Sequence, residues 1–529
     1  MAPFVRYYNS ELTLRIVAVL FAAFAFFLAN RHAFSGFFSA DDLDTLIWAP
    51  LLGWRTYAEG LFSLGSTEGN FRPTGVFVYQ LLFRAAGFQY APYVAAVWLL
   101  HVTVAGLLFG LLRRVEIPAL PAFAATLFFA FHPALFDAWW KPMFLYDVLC
   151  ALFSLIALLA WQARRPAIAF VAFWLALKSK ELAVLLPLAL AAIRPSWWLL
   201  PFAAACAAVG VHGILFSVRQ QATYRLSFSW DALRQTVPYY APWLAPLLAA
   251  PAVRLWFSLA LLATITPLLL LPTRLFTVYL YVPMLGVAAV LGAVCARLPR
   301  AFYLPLLAAW FTFCYVQLRD YRRTELEIAH ENRAYFTQVM AQKPSSTTTF
   351  LRDGDPRRFE SWGVEASLRH AGFPPSLSTR SLDIADGWQT PATAVLSWDR
   401  ATRQLLVSPY TASLEPFLKM TDRDAVWQLD RGFFPLNGGA RPMGDSALVR
   451  LAKPPSAQRF HLSWRSLPKA VPKEIHVLLN NRWLGAFPYE PDRSYTTSWP
   501  LPWPLPASVT VELQPGGEHQ LALESTGFR

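Results

Sequence analysis

Two adjacent carboxylates, Asp41 and Asp42, follow the first long apolar segment of the chain, within the stretch Phe37–Asp44. An apolar surround and mutual repulsion both raise the pKa of one member of such a pair. A carboxyl group with a raised pKa is suited to general-base catalysis. The same pattern is also typical of a solvated acidic turn or of a helix N-terminus. From these residues alone, the catalytic and the structural interpretations both stay open.

The composition indicates what kind of protein must position this pair. The chain has 529 residues, of which 56% are hydrophobic and 15% charged, whereas roughly a quarter are charged in soluble proteins. Before about Gln317 most charges interrupt long apolar runs, and from Arg319 onward they are spread evenly. The sequence therefore predicts an α-helical polytopic membrane domain over residues 1–317 and a soluble region after it.

A membrane-spanning helix needs about 20 mostly apolar residues, and eleven segments are candidates. The fifth, sixth and eighth are short and can be tilted, re-entrant or fused with a neighbour. The candidates are Leu14–Ala33, Pro92–Leu112, Pro118–Asp137, Met143–Trp161, Pro166–Leu177, Glu181–Ile193, Trp197–Val218, Val237–Ala250, Leu255–Leu271, Leu275–Ala296 and Ala301–Gln317.

The net charge of +13 comes largely from short groups of arginine between apolar runs. This is the pattern of cytoplasmic loops, so it argues against a nucleic-acid partner. With the N-terminus in the cytoplasm, eleven spans leave the C-terminal region extracytoplasmic. The basic residues assigned to the cytoplasmic side are Arg6, Arg15, Arg113, Arg114, Arg164, Arg165, Arg194, Arg254, Arg297 and Arg300.

The same topology brings every polar cluster of the apolar part to the outer face. Ionisable residues at membrane depth are costly and usually line a cavity or a pathway, so we expect a shared cavity at the outer leaflet. The clusters are Asp41-Asp42, Arg72-Pro73, His132–Asp147, Lys178–Glu181, Tyr224-Arg225 and Arg274.

The soluble region divides into two predicted domains. Residues 318–390 contain an amphipathic helix, Leu318–Lys343, then a strand, Ser345–Leu351, and a second helix, Phe359–Ala371, which predicts a small α/β domain. Residues 391–529 show short alternating runs between turn residues, which favour a β-sandwich or a jelly roll. The predicted strands there are Ala394–Trp398, Gln404–Ser408, Ala447–Leu451, Ile475–Leu479 and Val509–Leu513.

Four tryptophans of this region could stack on sugar rings or could instead be core residues or membrane-interface anchors. They are Trp464, Trp483, Trp499 and Trp503. The four cysteines of the chain all fall in apolar segments, and no His/Cys spacing predicts a zinc site. A divalent metal at Asp41-Asp42 is conceivable, but we expect no cofactor. There is no glycine-rich phosphate loop, which argues against direct use of a nucleotide sugar.

Several motifs, in order along residues 37–285, resemble the GT-C superfamily of membrane glycosyltransferases. The resemblance is to its protein O-mannosyltransferase-like and tetratricopeptide-associated branch, here without the repeats. Where that branch has an acidic–basic pair before Tyr279, this chain has Thr277-Val278, with Arg274 as the nearest basic residue. The matching segments are Asp41-Asp42, Asn70–Thr74, Phe131-His132-Pro133, Trp139-Trp140, Tyr146-Asp147, Leu177–Glu181 and Tyr279–Pro283.

The resemblance implies transfer of a sugar, with inversion, from a polyprenyl-phosphate carrier to an acceptor hydroxyl on the outer face of a bacterial inner membrane. The first outer loop, residues 34–90, would belong to the catalytic domain. Asp41 or Asp42 would be the base, because it can take the acceptor proton as the hydroxyl attacks. The acceptor could be a glycan, a lipid or a protein.

The remaining candidate residues would bind the substrate. Lys180, Arg274 and Lys141 are the leading cations for the leaving phosphate; Lys180 could instead pair with Glu181 or another carboxylate. Arg72 could hold phosphate or pin its loop to Asp42. The other candidates are Asp147, Glu181, Tyr279 and Tyr281.

Three rival functions remain open from the sequence. A transporter or flippase of lipid-linked sugars would be favoured by inverted repeats and broken midplane helices. A polysaccharide ligase or polymerase would rely on arginine and histidine in a late loop. The third rival is an inactive relative that binds carbohydrate through its C-terminal region.

Overall fold

A computed structural model describes residues 23–63, 71–219, 226–382, 390–471, 473–518 and 520–529. Several predicted features lie outside these ranges: Arg6, Arg15, the part of the first predicted span before residue 23, Asn70 and Tyr224-Arg225. The chain divides into two compact units. One contains the chain up to Phe38 together with Trp48–Leu326, and the other contains Ser39–Ile47 together with Glu327–Arg529.

The regular elements of the first unit are helices. Short 3₁₀ segments link several of them, among them Pro133–Leu135, Pro142–Phe144, Glu181–Leu185, Leu261–Ile265 and Thr277–Leu280. The α-helices are α1 (23–30), α3 (Trp54–Phe62), α4 (Pro73–Ala86), α5 (Tyr90–Arg114), α6 (Ala119–Ala130), α7 (Phe136–Trp140), α8 (Leu145–Gln162), α9 (Pro166–Ser179), α10 (Leu186–Ile193), α11 (Leu200–Arg219), α12 (Trp230–Leu244), α13 (Trp256–Ala260), α14 (Thr266–Leu269) and α15 (Tyr281–Cys295), and α16 (Arg300–Met340) begins in this unit.

Within the described ranges, four helices are long and apolar enough to cross a membrane. A fifth span is added if α6 and Pro133–Trp140, which are bent by 49° at their junction, count as one. The helical N-terminal region is therefore that of a membrane protein with four to five candidate spans. The four are Tyr90–Arg114, Pro142–Gln162, Thr277–Cys295 and Arg300–Met340.

The count of eleven spans is not confirmed. The predicted segments Pro166–Leu177, Glu181–Ile193, Trp197–Val218 and Leu255–Leu271 overlap shorter apolar helical stretches, which are Pro166–Ser179, Glu181–Ile193, Trp197–His212 and Trp256–Leu269. Changes to 3₁₀ geometry at Glu181–Leu185, Trp197–Leu199 and Leu261–Ile265 help to divide them. The predicted span Val237–Ala250 overlaps α12, which contains Pro238 and Pro242. Helix α12 continues through both prolines and changes to 3₁₀ geometry at Ala245–Ala249, so apolar composition alone overestimates the spans.

Helix α15 lies at the centre of the first unit and brings the Tyr279–Pro283 motif to its N-terminal end. In its apolar window 72% of the residues are buried. Small residues allow this close packing: a Cβ on Gly292 would lie 3.2 Å from the Cβ of Ala125 on α6. A Cβ on Gly286 would lie 2.7 Å from the carbonyl oxygen of Ser258 on α13. Small residues at helix interfaces are the usual means of close approach in membranes.

The second unit begins with a small α/β domain. Its helices are α2 (Ala40–Trp48) and α17 (Glu360–His370), together with the end of α16. Its sheet has the order β2-β1-β3-β4, formed by β1 (Thr349–Asp353), β2 (Ser378–Ser381), β3 (Thr393–Asp399) and β4 (Gln404–Pro409). Strand β1 pairs in parallel with β2 and β3, and β4 pairs antiparallel with β3. Every residue of β3 is buried, as expected of a central strand covered on both faces.

The predicted helix Phe359–Ala371 and the predicted strands of this region are confirmed to within a few residues. The domain boundary predicted between 390 and 391 falls inside the four-stranded sheet, because β3 and β4 follow it and pair with β1 or with each other. The boundary predicted at 317 falls inside α16, which runs without a break from Arg300 to Met340.

The C-terminal domain is a barrel-like antiparallel sheet, nine-stranded within the described ranges. Its path is β10-β9-β12-β7-β13-β8-β11, with β5 on β13 and β6 on β7. Strand β7 bends from one face to the other: Arg441 and Pro442 pair with β13, and Ala447–Ala452 pairs with β12. The strands are β5 (Phe417–Lys419), β6 (Leu429–Phe433), β7 (Arg441–Ala452), β8 (Arg459–Ser466), β9 (Lys473–Leu479), β10 (Arg482–Tyr489), β11 (Ser494–Pro500), β12 (Ser508–Gln514) and β13 (Leu521–Phe528).

A buried ion pair joins this sheet to the α/β domain. The Arg441 guanidinium donates to both carboxylate oxygens of Asp353, at 3.0 and 2.5 Å, and the Ser397 hydroxyl donates to the same carboxylate at 2.5 Å. Arg441 and Asp353 are both buried. Such two-point pairing fixes orientation as well as distance, so the two domains of the second unit are held in one arrangement.

The tryptophans proposed for sugar stacking take different positions. Trp464 is fully buried in the core of the barrel-like sheet, so the stacking hypothesis is wrong for this residue. Trp499 and Trp503 are partly buried against the same core. Trp483 is 52% exposed, so its ring is accessible to a ligand.

Replacing Trp464 by alanine is predicted to lower the free energy of unfolding by about 3–5 kcal/mol, because it leaves a cavity in a packed core. The matched control is Trp483→Ala, for which we expect a change within about 0.5 kcal/mol. Urea unfolding of the detergent-solubilised protein, followed by circular dichroism of the β signal, measures both. Equal losses for the two variants would contradict the assignment of Trp464 to the core.

Candidate functional site

The candidate site of the first unit is built where helices break. Arg72 is the residue before α4, where Pro73 begins the helix with its φ already set. Asp147 lies in the first turn of α8. Lys180 has an extended backbone between α9 and the 3₁₀ segment that starts at Glu181. All three charged residues therefore lie at or beside helix ends, and Asp147 and Lys180 are buried there.

Asp147 and Lys180 form a buried ion pair. The Lys180 Nζ lies 2.6 Å from each Asp147 carboxylate oxygen, and both residues are buried. The same ammonium lies 4.2 Å from the centroid of the Tyr279 ring, a cation–π distance. Of the partners considered for Lys180 in the sequence, the structure selects a carboxylate, and that carboxylate is Asp147.

Arg72 and Glu181 form a second ion pair beside the first. The Arg72 Nη2 lies 3.0 Å from Glu181 Oε2, and Nε lies 3.2 Å from Oε1. The guanidinium also lies 5.7 Å from the centroid of the Tyr146 ring. Burial opposes the charge on Arg72, but the Glu181 carboxylate outweighs it and raises the pKa of the guanidinium. Arg72 therefore stays charged and pins its loop to Glu181, which replaces Asp42 as the partner considered from the sequence.

The two ion pairs are linked along the chain. Lys180 of the first pair adjoins Glu181 of the second. Asp147 of the first pair adjoins Tyr146, whose ring lies beside Arg72 of the second. Gly75 allows the Tyr146 ring to approach α4: a Cβ there would lie 2.2 Å from Tyr146 Cδ1. The charged side chains of the cluster, Arg72, Asp147, Lys180 and Glu181, balance to zero net charge. A ligand phosphate at Lys180 must therefore compete with the Asp147 carboxylate.

Tyr281 makes a different contact from its motif neighbour Tyr279. Its hydroxyl hydrogen-bonds with Nδ1 of His101 on α5, and His101 Nε2 lies 3.1 Å from the Ala130 carbonyl oxygen. Because a carbonyl only accepts, Nε2 carries the proton and Nδ1 accepts from the tyrosine. His101 thus hydrogen-bonds to two other elements of the unit, and the buried Tyr281 ties α15 to α5.

Lys141 and His132 have structural contacts. The Lys141 ammonium lies 3.0 Å from Asp137 and 3.1 Å from Glu325 on α16. His132 Nδ1 accepts a hydrogen bond from the Ala134 backbone N–H at 3.2 Å, which caps the start of the 3₁₀ segment Pro133–Leu135.

Arg274 is half-buried. Its backbone carbonyl accepts a hydrogen bond from the Tyr240 hydroxyl at 3.3 Å. This contact ties Arg274 to α12 through the main chain and does not by itself give its guanidinium a role.

The acidic pair belongs to the second unit and has two distinct environments. Asp42 Oδ2 accepts from the backbone N–H and from the hydroxyl of Ser39, each at 2.8 Å. This is the reciprocal arrangement of a capping box at the start of α2, and Asp42 is buried. Asp41 is exposed and accepts a hydrogen bond from Trp362 Nε1 at 2.8 Å.

Helix α2 packs against α17 within that unit. A Cβ on Gly363 would lie 2.8 Å from the Ala40 Cβ, and His370 Nε2 lies 3.0 Å from the Leu43 carbonyl oxygen. Burial lowers the pKa of His370, so its ring stays neutral at neutral pH. Sequence reasoning missed Trp362 and His370, which lie more than 300 residues after the acidic pair and carry no motif.

The outcome for the predicted residues is mixed. The structure brings together five of them, Arg72, Asp147, Lys180, Glu181 and Tyr279. The others have the separate contacts described above. Within the ranges that the structure describes, no group of three or more His, Cys, Asp and Glu side chains could hold a metal ion.

Comparison with known proteins finds no matching family model and no matching curated protein.

Replacing Lys180 by methionine is predicted to destabilise the protein by about 3–5 kcal/mol, because it leaves the Asp147 carboxylate buried without its partner. Asp147→Leu should cost a similar amount. The double variant Lys180→Met/Asp147→Leu should be more stable than either single variant, since it removes both charges. Thermal unfolding of the purified proteins in detergent measures the three.

The control is the exposed pair Arg55–Glu59, with Nε 2.7 Å from Oε1. Arg55→Met should leave stability almost unchanged, because an exposed ion pair contributes little. If the double variant at positions 147 and 180 loses as much stability as the two single variants added together, the two side chains do not depend on each other, and the prediction is contradicted.

Proposed function

We propose that this chain is an inverting GT-C-type glycosyltransferase. It moves a sugar from a polyprenyl-phosphate carrier to an acceptor hydroxyl on the extracytoplasmic face of the membrane. The observation that carries the proposal is the cluster formed by Arg72, Tyr146-Asp147, Lys180-Glu181 and Tyr279. These residues come from four segments that, taken together and in order along the chain, resemble the family.

The energetic cost of the cluster supports a functional origin. Removing a charge from water costs several kcal/mol even after relaxation, and ionisable residues in membrane domains mark substrate pathways by default. An apolar substitute of the same size would pack a helix junction at no such cost. The charged residues of the cluster lie in the segments that resemble the family. Their presence there favours a substrate site over a purely structural contact.

The base is assigned to Asp41. A general base must be within hydrogen-bond reach of the hydroxyl that it deprotonates, and Asp41 is exposed whereas Asp42 is buried. Asp42 is occupied by the capping box at Ser39, so its part is to fix the start of α2. Trp362, which donates to Asp41 Oδ1, orients the carboxylate.

The leaving phosphate is assigned to Lys180 and Arg274. A phosphate at Lys180 takes over part of the role of Asp147, since an ammonium can donate to several oxygens. The ring of Tyr279, 4.2 Å from the ammonium, helps to keep it in place during that exchange. Lys141 is the weaker candidate, because two carboxylates already bind its ammonium.

The proposal places the protein in a bacterial inner membrane as a multi-pass chain with an extracytoplasmic C-terminal region. The short apolar helices between Pro166 and Leu269 supply further crossings, which would bring the spans toward eleven. This orientation places the positive charges of Arg113-Arg114 and Arg164-Arg165 on the cytoplasmic side, where short loops are usually basic, and they support it.

Asp41→Asn is predicted to lower sugar transfer by about 10²–10⁴-fold, the usual contribution of a general base. Asp44→Asn is the matched control, since it removes a carboxylate from the same helix, and it should leave the rate unchanged. The measurement is transfer of labelled sugar from polyprenyl-phosphate donors to acceptors in vesicles from cells that express each variant.

Asp42→Asn should retain transfer, because an amide oxygen can still accept from Ser39. Retained transfer in Asp41→Asn would remove the base from the proposal. Movement of the labelled carrier across the membrane, with no glycosidic bond formed by the wild type, would instead support the transporter.

The orientation has its own test, with cysteine introduced at Arg482 on β10. Arg482→Cys should react with a membrane-impermeant maleimide in cells whose inner membrane is intact. Arg114→Cys, at the end of α5, should react only after lysis. The unsubstituted chain, whose four cysteines lie in apolar segments, sets the background. Reaction of Arg482→Cys only after lysis would reverse the orientation.

A further inference from the structure

An apolar groove on the first unit lies between α1, α6 and α16. Its cavity volume is about 390 Å³, within the range of roughly 300–1,000 Å³ that is usual for small-molecule sites. Ala29 of α1, Leu127 of α6 and Cys314 of α16 are among the residues that line it. A second cavity of about 120 Å³ shares Leu127 with the first and reaches Val102 of α5. The two cavities thus adjoin each other at Leu127, and most of the residues that line them are apolar.

The lining of the groove includes a cation. Arg322 follows Tyr315 by seven residues, two helical turns, on α16; both residues line the groove, and the Arg322 guanidinium lies 5.5 Å from the Tyr315 ring centroid. Within the described ranges the Arg322 Nε is buried and has no hydrogen-bond partner. A buried donor without an acceptor is unfavourable, so an acceptor at this position would stabilise the protein.

The surroundings of the groove face lipid. Only 17% of the residues in the most apolar stretch of α16 are buried, and Phe24, Phe27 and Leu28 of α1 are exposed large hydrophobic residues. Because α16 is one of the candidate spans, exposed apolar side chains on it and on α1 beside it are placed to contact hydrocarbon. The molecule with direct access to the groove is therefore a lipid of the bilayer.

We propose that this groove binds a bilayer glycerophospholipid with an anionic headgroup. One acyl chain lies along Ala29 and Leu127, and the phosphate accepts hydrogen bonds from the Arg322 guanidinium. Guanidinium groups match phosphate oxygens in geometry and charge. A second copy of the chain could cover the apolar walls with a helix, but an apolar helix would leave the Arg322 Nε without an acceptor. The inference does not depend on the proposed transferase activity.

The test compares spin-labelled phosphatidylglycerol with spin-labelled phosphatidylcholine in phosphatidylcholine vesicles that contain the full-length protein. Electron paramagnetic resonance gives the immobilised fraction of each lipid. The wild type should prefer the anionic lipid, and Arg322→Gln should lower that preference about fivefold, which corresponds to about 1 kcal/mol for one basic residue near the surface. The control Arg323→Gln removes an exposed charge of the same sign from the next position and should have little effect.

A second pair of variants tests the groove without removing a charge. Ala29→Trp fills it and should reduce the immobilised phosphatidylglycerol, whereas Leu28→Trp, on the exposed side of α1, should not. Equal loss in Arg322→Gln and Arg323→Gln, or no preference in the wild type, would overturn the proposal. So would a change in the monomer–dimer ratio of Ala29→Trp without a change in bound lipid, since a second copy would then cover the groove.

Discussion

The ion pair between Asp147 and Lys180 is the interaction on which the architecture of the first unit depends. It ties the first turn of α8 to the break after α9, with 2.6 Å between the ammonium and either carboxylate oxygen. A buried pair is expensive to form and more expensive to break, because removal of one partner leaves an unpaired charge. Once the pair forms, its chain neighbours Tyr146 and Glu181 are placed beside Arg72. The charged cluster is therefore built from the dipeptides Tyr146-Asp147 and Lys180-Glu181 and from the loop that carries Arg72.

The acidic helix α2 depends on a different constraint. The capping box between Ser39 and Asp42 satisfies backbone donors at the start of the helix. It therefore commits one of two adjacent carboxylates to structure. Asp41 points outward and is oriented by Trp362 of α17. The pair thus separates into one residue that builds the helix and one that is available for chemistry, which is why their substitutions are expected to differ.

Much of the fold could be predicted from composition and periodicity. The change from apolar runs to evenly spread charge marks the helical membrane region and the β-rich region. The strands near 475–479 and 509–513 alternate in burial as their sequences alternate. The number of spans could not be predicted, because 3₁₀ segments such as Glu181–Leu185 and Ala245–Ala249 divide apolar stretches without changing their composition. Trp464 likewise has the same side chain as Trp483, and only the sheet decides which is buried.

The sequence by itself determined which residues were candidates for chemistry, because charged side chains in apolar stretches and an acidic pair after an apolar segment are local features. Their partners were decided only by tertiary structure. Lys180 adjoins Glu181 in the chain, yet it pairs with Asp147, 33 residues away. Glu181 pairs with Arg72, 109 residues away. The reason is geometric, because the side chains of neighbouring residues on an extended backbone point in opposite directions. A charged residue at a helix break therefore pairs with a residue of another helix that packs beside it, and not with its neighbour in the chain.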